Sequence, residues 1–165
     1  MAACKRCART ALYKDGCCRE CYVCLVEKRI RKALRHSFSS EEKTIRMFHD
    51  GSILGDVLRV VLEQVFKRGN KSLCIVKEQS KANVLPWCLE VCAVQALDEL
   101  LCGKVMPKVT QPLAQIPYDD VVLLGRSKDL DIHQAVLPKQ LALDVLQDAY
   151  PGSKQTLVKS LLRLH

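Results

Sequence analysis

Two Cys-x2-Cys pairs, Cys4-Lys-Arg-Cys7 and Cys18-Arg-Glu-Cys21, stand ten residues apart and constrain this chain more than any other feature. Each pair offers two thiolates from one tight turn, and two such turns complete a tetrahedron around zinc. Gly16, just before the second pair, can supply the turn. Six of the ten cysteines fall between Cys4 and Cys24. The start of the chain is basic and lacks the apolar stretch of a secretion signal, so the expectation is a thiol-reducing, cytoplasmic setting. There a cluster of this kind is a metal site rather than a disulfide framework. The proposed ligands are Cys4, Cys7, Cys18 and Cys21; Cys17 and Cys24 also qualify by type, and Cys21-x2-Cys24 is a third pair. Zinc is the expected ion, and an iron–sulfur cluster satisfies the same sequence. A closed four-sulfur site is structural and leaves no open position for catalysis.

Charge is spread as unevenly as cysteine. Residues 1–35 hold ten Lys/Arg against three acids, +7, whereas the remainder holds 16 against 15. From Tyr22 a helical stretch runs to residue 34, in which Leu25, Ile30 and Leu34 can face inward. Lys28, Arg29, Arg31, Lys32 and Arg35 then point to solvent. Such a density of cations suits nucleic-acid phosphate, and is otherwise a solvated helix face.

Composition sets the body apart from membrane and disordered chains, with 48% hydrophobic and 27% charged residues. No apolar run reaches the 18 or so residues of a spanning helix. The expected organisation is a knuckle with a basic helix over residues 1–35 and an α/β domain over 40–165. In that domain residues 43–48 read as a strand, 53–66 as a helix with Leu54, Val57, Leu58, Val61, Leu62 and Val65 on one face, and 72–76 as a second strand. Strand, helix and strand in some 35 residues form a βαβ unit and imply a parallel sheet. Residues 85–101 read as a helix, 104–118 as an irregular Pro-containing connection, 121–124 as a third strand, and 137–149 and 153–164 as helices.

The turn after the first strand, His49-Asp50-Gly51-Ser52, is where such a fold binds phosphate. It lacks the glycines of a Walker loop or a dinucleotide fingerprint, and Asp50 adds negative charge. Adenylation here is therefore not expected, although Gly51 and Ser52 still allow a weak anion site.

With these features the chain resembles the cytoplasmic tRNA 2-thiolation protein 2 family, as a short and divergent member. The family begins with two Cys-x2-Cys pairs, an aromatic and a basic helix, similar here to Cys4–Cys7, Cys18–Cys21, Tyr22 and Val26-Glu-Lys-Arg-Ile-Arg31. Met47-Phe-His-Asp-Gly-Ser52, Ala93-Val-Gln-Ala-Leu97 with Gly103-Lys104, Leu123-Leu-Gly-Arg-Ser-Lys-Asp-Leu130 and residues 146–157 follow in the family's order. The resemblance implies a Rossmann-like parallel sheet of the PP-loop ATPase type with a degenerate nucleotide loop, behind a small zinc-ribbon-like knuckle. The Ser-Gly-Gly-x-x-Ser loop that binds ATP pyrophosphate in related enzymes is replaced by His49–Ser52. What is implied is a non-catalytic, tRNA-binding half of a heterodimer. The partner would be a catalytic thiolase subunit that modifies the wobble uridine of Lys, Gln and Glu tRNAs, with a ubiquitin-like thiocarboxylate carrier as sulfur donor.

Cys74, Cys88, Cys92 and Cys102 are alternatively small core residues or relay thiols, and relay needs accessible, low-pKa sulfur. Trp87 is read as a packing residue; His49, His133 and His165 have no evident partner. Two other readings compete: an active ATP-dependent tRNA sulfurtransferase, and a free-standing zinc module binding nucleic acid or protein.

Overall fold

The computed structural model describes residues 3–11, 13–38, 42–67, 71–102, 109–131, 147–148 and 151–164. Helix α1 (Arg19–Ser37) follows the N-terminal knuckle. Its apolar residues Tyr22, Val26, Ile30 and Leu34 recur every four positions, lie on one stripe and are all buried. Then come strand β1 (Thr44–Phe48), helix α2 (Ile53–Phe66) and strand β2 (Ser72–Val76). β1 and β2 pair in parallel with Thr44 opposite Ser72 and Phe48 opposite Val76, as the βαβ reading requires.

The sheet grows on the other side of β1 by single bridges. Met47 pairs with Val84, and Val84 with Thr110, both parallel. Val84 thus extends the sheet, residues 85–88 have no regular structure, and helix α3 begins only at Leu89 (Leu89–Cys102), four residues later than its apolar content suggests. Pro86 keeps Leu85 out of the helix, because a proline disfavours helix in the residue before it, and the Leu85 and Leu89 N–H groups donate to the Thr110 and Ile116 carbonyls instead.

The expected third strand is a helix. Residues 121–124 lie inside α4 (Tyr118–Ser127). Four consecutive apolar residues fill a strand or one helical turn equally well. Three features decide for the helix: Pro117 stands at the N-cap, Asp119 and Asp120 occupy the first turn, and, from a distant part of the chain, the buried Glu90 carboxylate accepts the Tyr118 N–H at 2.7 Å. Helix α5 (Ser153–Leu164) closes the described chain as expected, whereas the helix read over 137–149 and the linker residues 39–40 lie outside the described residues, Gln147 and Asp148 apart.

Two apolar clusters sandwich the sheet. Ile45 and Met47 of β1 face one formed with α1, α2 and α4; Phe48 and Val76 face another formed by Leu85, Trp87, α3 and α5. The first cluster continues into the knuckle through Cys4, Cys17 and Cys18. Phe38 leaves α1 and meets Phe66 of α2 edge-on at 6.0 Å.

α2 and α4 cross at Gly125. A Cβ there would stand 2.9 Å from Ile53 Cδ1 and 3.1 Å from Val57 Cγ2. Gly125→Ala gains about 1 kcal/mol of helix propensity, which offsets a small shift of the Ile53 tip. Gly125→Val cannot be absorbed in this way and should cost about 1–3 kcal/mol. Thermal melts are expected to show a loss of several degrees for valine and little for alanine; equal melting of both would refute the close crossing.

Candidate functional site

The knuckle is built by backbone bonds before any metal is considered. The Cys4 N–H donates to the Arg9 carbonyl at 2.8 Å, Ala3 bridges Thr10, and the Lys5 N–H donates to Gly16 O at 3.0 Å. Asp15 and Gly16 turn the chain with φ of 59° and 68°. At Gly16 a Cβ would press on the Lys5 side chain at 2.8 Å. Cys18 caps α1, and Cys21 lies in its first turn.

These elements bring Cys4, Cys7, Cys18 and Cys21 together, their sulfurs all within 4.8 Å of one another, and Cys7 Sγ 3.6 Å from Cys18 Sγ. A single zinc with bonds near 2.3 Å places its four sulfurs about 3.8 Å apart. The residues fit such an ion, and the all-thiolate donor set also suits iron–sulfur chemistry. Cys17 is buried with its thiol 3.9 Å from the Asp15 carbonyl, and Cys24 is exposed one turn along α1; neither joins the four.

The four thiols do not ionise alike. The Cys18 N–H donates to Cys4 Sγ at 3.2 Å and lowers the Cys4 thiol to about 6. Cys21, which shares protons with Cys18 and Cys7, is pushed up to about 12. Neutral thiols would therefore surrender protons to an incoming cation, as thiolate metal sites do. Arg9 pairs with Glu20 at 3.1 Å beside the cluster, and with Arg6 and Cys24 this pair borders a shallow cleft over Cys7, Cys18 and Cys21.

Asp120 joins the knuckle to the body. It is 2% exposed, accepts the Tyr22 hydroxyl at 2.7 Å and pairs with Lys14 Nζ at 3.1 Å. Burial, then the neighbouring carboxylate, pushes the Tyr22 hydroxyl above its ordinary pKa, so it stays a donor. Sequence reasoning missed Asp120, because its strand reading of residues 121–124 left it in a connection.

The five candidate nucleic-acid cations divide. Arg31 binds Glu27 at 2.6 Å and Gln64 at 2.9 Å, and Lys128 also holds Glu27 at 3.0 Å. Burial would raise the Glu27 carboxyl, but Lys128 and Arg31 hold it below its ordinary value. Arg29 makes an exposed pair with Asp15 at 3.1 Å. Lys28, Lys32 and Arg35 are exposed and carry no ion pair among the described residues.

The loop after β1 is closed upon itself. The Gly51 N–H donates to His49 Nδ1 at 3.0 Å, the Ser52 N–H to Asp50 Oδ1 at 2.9 Å and the Gly55 N–H to Ser52 Oγ at 3.4 Å. His49 Nε2 reaches Asp56 at 3.3 Å, and Gly55 leaves room for the ring, since a Cβ there would stand 3.2 Å from it. Amides that an anion would need are thus taken by side chains of the loop itself, and Asp50 already sets a carboxylate on the helix terminus.

Cys88 and Cys92 are buried, and burial pushes Cys88 up to about 12 and Cys92 higher still. That is the opposite of a relay thiol. Cys74 is exposed on β2; the side chain of Cys102 and residues His133 and His165 lie outside the described residues. No helix among the described residues is long and apolar enough to cross a membrane.

No protein-family model matches the chain, and no curated protein matches it. Among solved structures it is similar to the U34-tRNA thiolase NcsA from Methanococcus maripaludis, determined with its [4Fe–4S] cluster. The TM-score is 0.77 over 99% of this chain and 87% of that one, at 18% identity. The small parallel sheet and its flanking helices therefore share an α/β fold of the PP-loop ATPase type with that protein, with a metal-competent cysteine knuckle at the N-terminus.

Proposed function

We propose that this chain serves 2-thiolation of the wobble uridine in cytoplasmic tRNAs for Lys, Gln and Glu, as the tRNA-binding scaffold partner of a catalytic thiolase subunit. A ubiquitin-like thiocarboxylate carrier would deliver the sulfur to that partner. The observation that carries the reading is the likeness of nearly the whole chain to a U34-tRNA thiolase, combined with a nucleotide loop whose amides are occupied by His49 and Asp50. The fold supports the pathway, and the closed loop supports a non-catalytic share in it. Lys28, Arg29, Lys32 and Arg35 supply phosphate contacts on α1, while Arg31 secures the helix to α2. The cysteine knuckle would hold zinc as a structural ion.

Thiolated tRNA is retarded on organomercury gels, which tests the reading directly. In cells depleted of this protein the retarded band should vanish for the three tRNAs. It should return with the wild-type chain and fail to return with Cys4→Ser/Cys18→Ser. The isolated chain should exchange no pyrophosphate into ATP. An untouched band would overturn the thiolation reading and leave a free-standing zinc module; exchange by the isolated chain would make it the enzyme.

A further inference from the structure

A cleft of about 670 Å³ lies between the second half of α1 and residues 109–116. One wall carries the cations Arg29 and Lys32 with the imidazole of His36; the other carries Gln111 and Gln115 over a floor that includes the buried Ile116. The volume is that of a small-molecule or nucleotide site, larger than a single phosphate needs. Residues 111–116 follow Thr110, which bridges Val84 in parallel, so one wall of the cleft is the connection between the sheet and α4. The loop after β1, His49–Ser52, is by contrast closed by its own side chains.

Gln111 is oriented. Its Oε1 accepts the thiol of the buried Cys92 at 3.3 Å, which leaves the amide NH₂ as the end available to the cleft. Cys92 keeps its proton because burial raises its pKa, so the thiol can serve as the donor. Arg29 spends one nitrogen on Asp15 in an exposed pair, which holds weakly and leaves its other donors for a ligand. Lys32 and His36 have no hydrogen-bond or ion-pair partner among the described residues.

We propose that this cleft binds one nucleotide segment of RNA, with the phosphates on Arg29 and Lys32, a further donor from His36, and the base edge on Gln111 and Gln115. The inference rests on the tRNA-binding reading and sharpens it, because it assigns one side of α1 rather than the whole basic helix. The NH₂ of Gln111 favours bases that present a carbonyl oxygen, uridine over adenosine.

The test uses the metal-loaded full chain with three probes: an unmodified tRNA transcript, oligo(U) and oligo(A). Arg29→Glu/Lys32→Glu should weaken tRNA binding by about tenfold or more and reduce the salt slope by about two. Lys43→Glu/Lys159→Glu makes the same charge change on exposed lysines that do not line the cleft, and should stay within about twofold of wild type by the same electrostatic measure. Wild type should prefer oligo(U), and Gln111→Ala should abolish the preference while retaining the salt slope. Irradiated oligo carrying 4-thiouridine should cross-link within residues 109–116. If the two charge reversals weaken tRNA equally, or the cross-link falls elsewhere, the cleft is not the site although the tRNA reading stands. If Gln111→Ala leaves the preference intact, the base assignment is overturned. If wild type binds none of the probes, the tRNA reading fails and this inference with it.

Discussion

Removing the knuckle metal, by chelation or by Cys4→Ser/Cys18→Ser, should lower the melting temperature of the whole chain by about 10 °C or more. The size of the effect follows from where the cysteines sit. Cys4, Cys17 and Cys18 belong to the same apolar cluster as Tyr22, Val26, Leu58 and Leu124, so a knuckle that opens exposes the main core. Four thiols within 4.8 Å have little reason to stay together without a cation, because ionising any one opposes the next. Structural zinc sites contribute about 10–16 kcal/mol in isolated fingers, and about a third of that, at 2–4 °C per kcal/mol, gives the stated shift. Metal analysis should find one zinc per chain, lost in the double variant and kept in Cys24→Ser. Unchanged melting after the metal is removed would refute a structural role. Loss of metal in Cys24→Ser would show that the ligand set is wrong, and iron with sulfide in place of zinc would identify a cluster.

The parts of this fold that were legible in the sequence are those whose signals are local. Helix α2 and strand β2 have the bounds their periodicity gives, because turn residues flank each and one face of α2 is continuously apolar. The two cysteine pairs were legible because knuckle spacing is short-range chemistry. The rest depends on contacts distant along the chain. Residues 121–124 were misread because four apolar residues carry no period, and the Glu90 carboxylate that receives Tyr118 N–H lies 28 residues away. Val84 and Thr110 join the sheet through one bridge each, too little to leave a strand pattern. The degenerate loop was legible as missing glycines. That His49 and Asp50 occupy its amides was not, since hydrogen-bond partners are not written in residue type.

Asp120→Ala should produce a large loss of stability while it leaves the metal ligands intact. It removes the acceptor of Tyr22, a hydroxyl on a residue only 3% exposed, and the partner of Lys14. Deleting one member of a buried pair costs about 3–5 kcal/mol when both are desolvated. Here the Lys14 side chain is 52% exposed and turns to water, so that half is discounted. What remains is chiefly the unsatisfied Tyr22 hydroxyl, about 2–3 kcal/mol, or a fall in melting temperature of roughly 5–10 °C. Metal content should not change, which separates this effect from loss of the knuckle. The decisive comparison is Tyr22→Phe/Asp120→Ala. With both partners gone nothing buried is left unpaired, so the double variant should melt no lower than Asp120→Ala alone, and higher if the orphaned hydroxyl is the main cost. Additive losses in the two single variants would mean that Tyr22 and Asp120 act separately, and that α1 and α4 are held by packing alone.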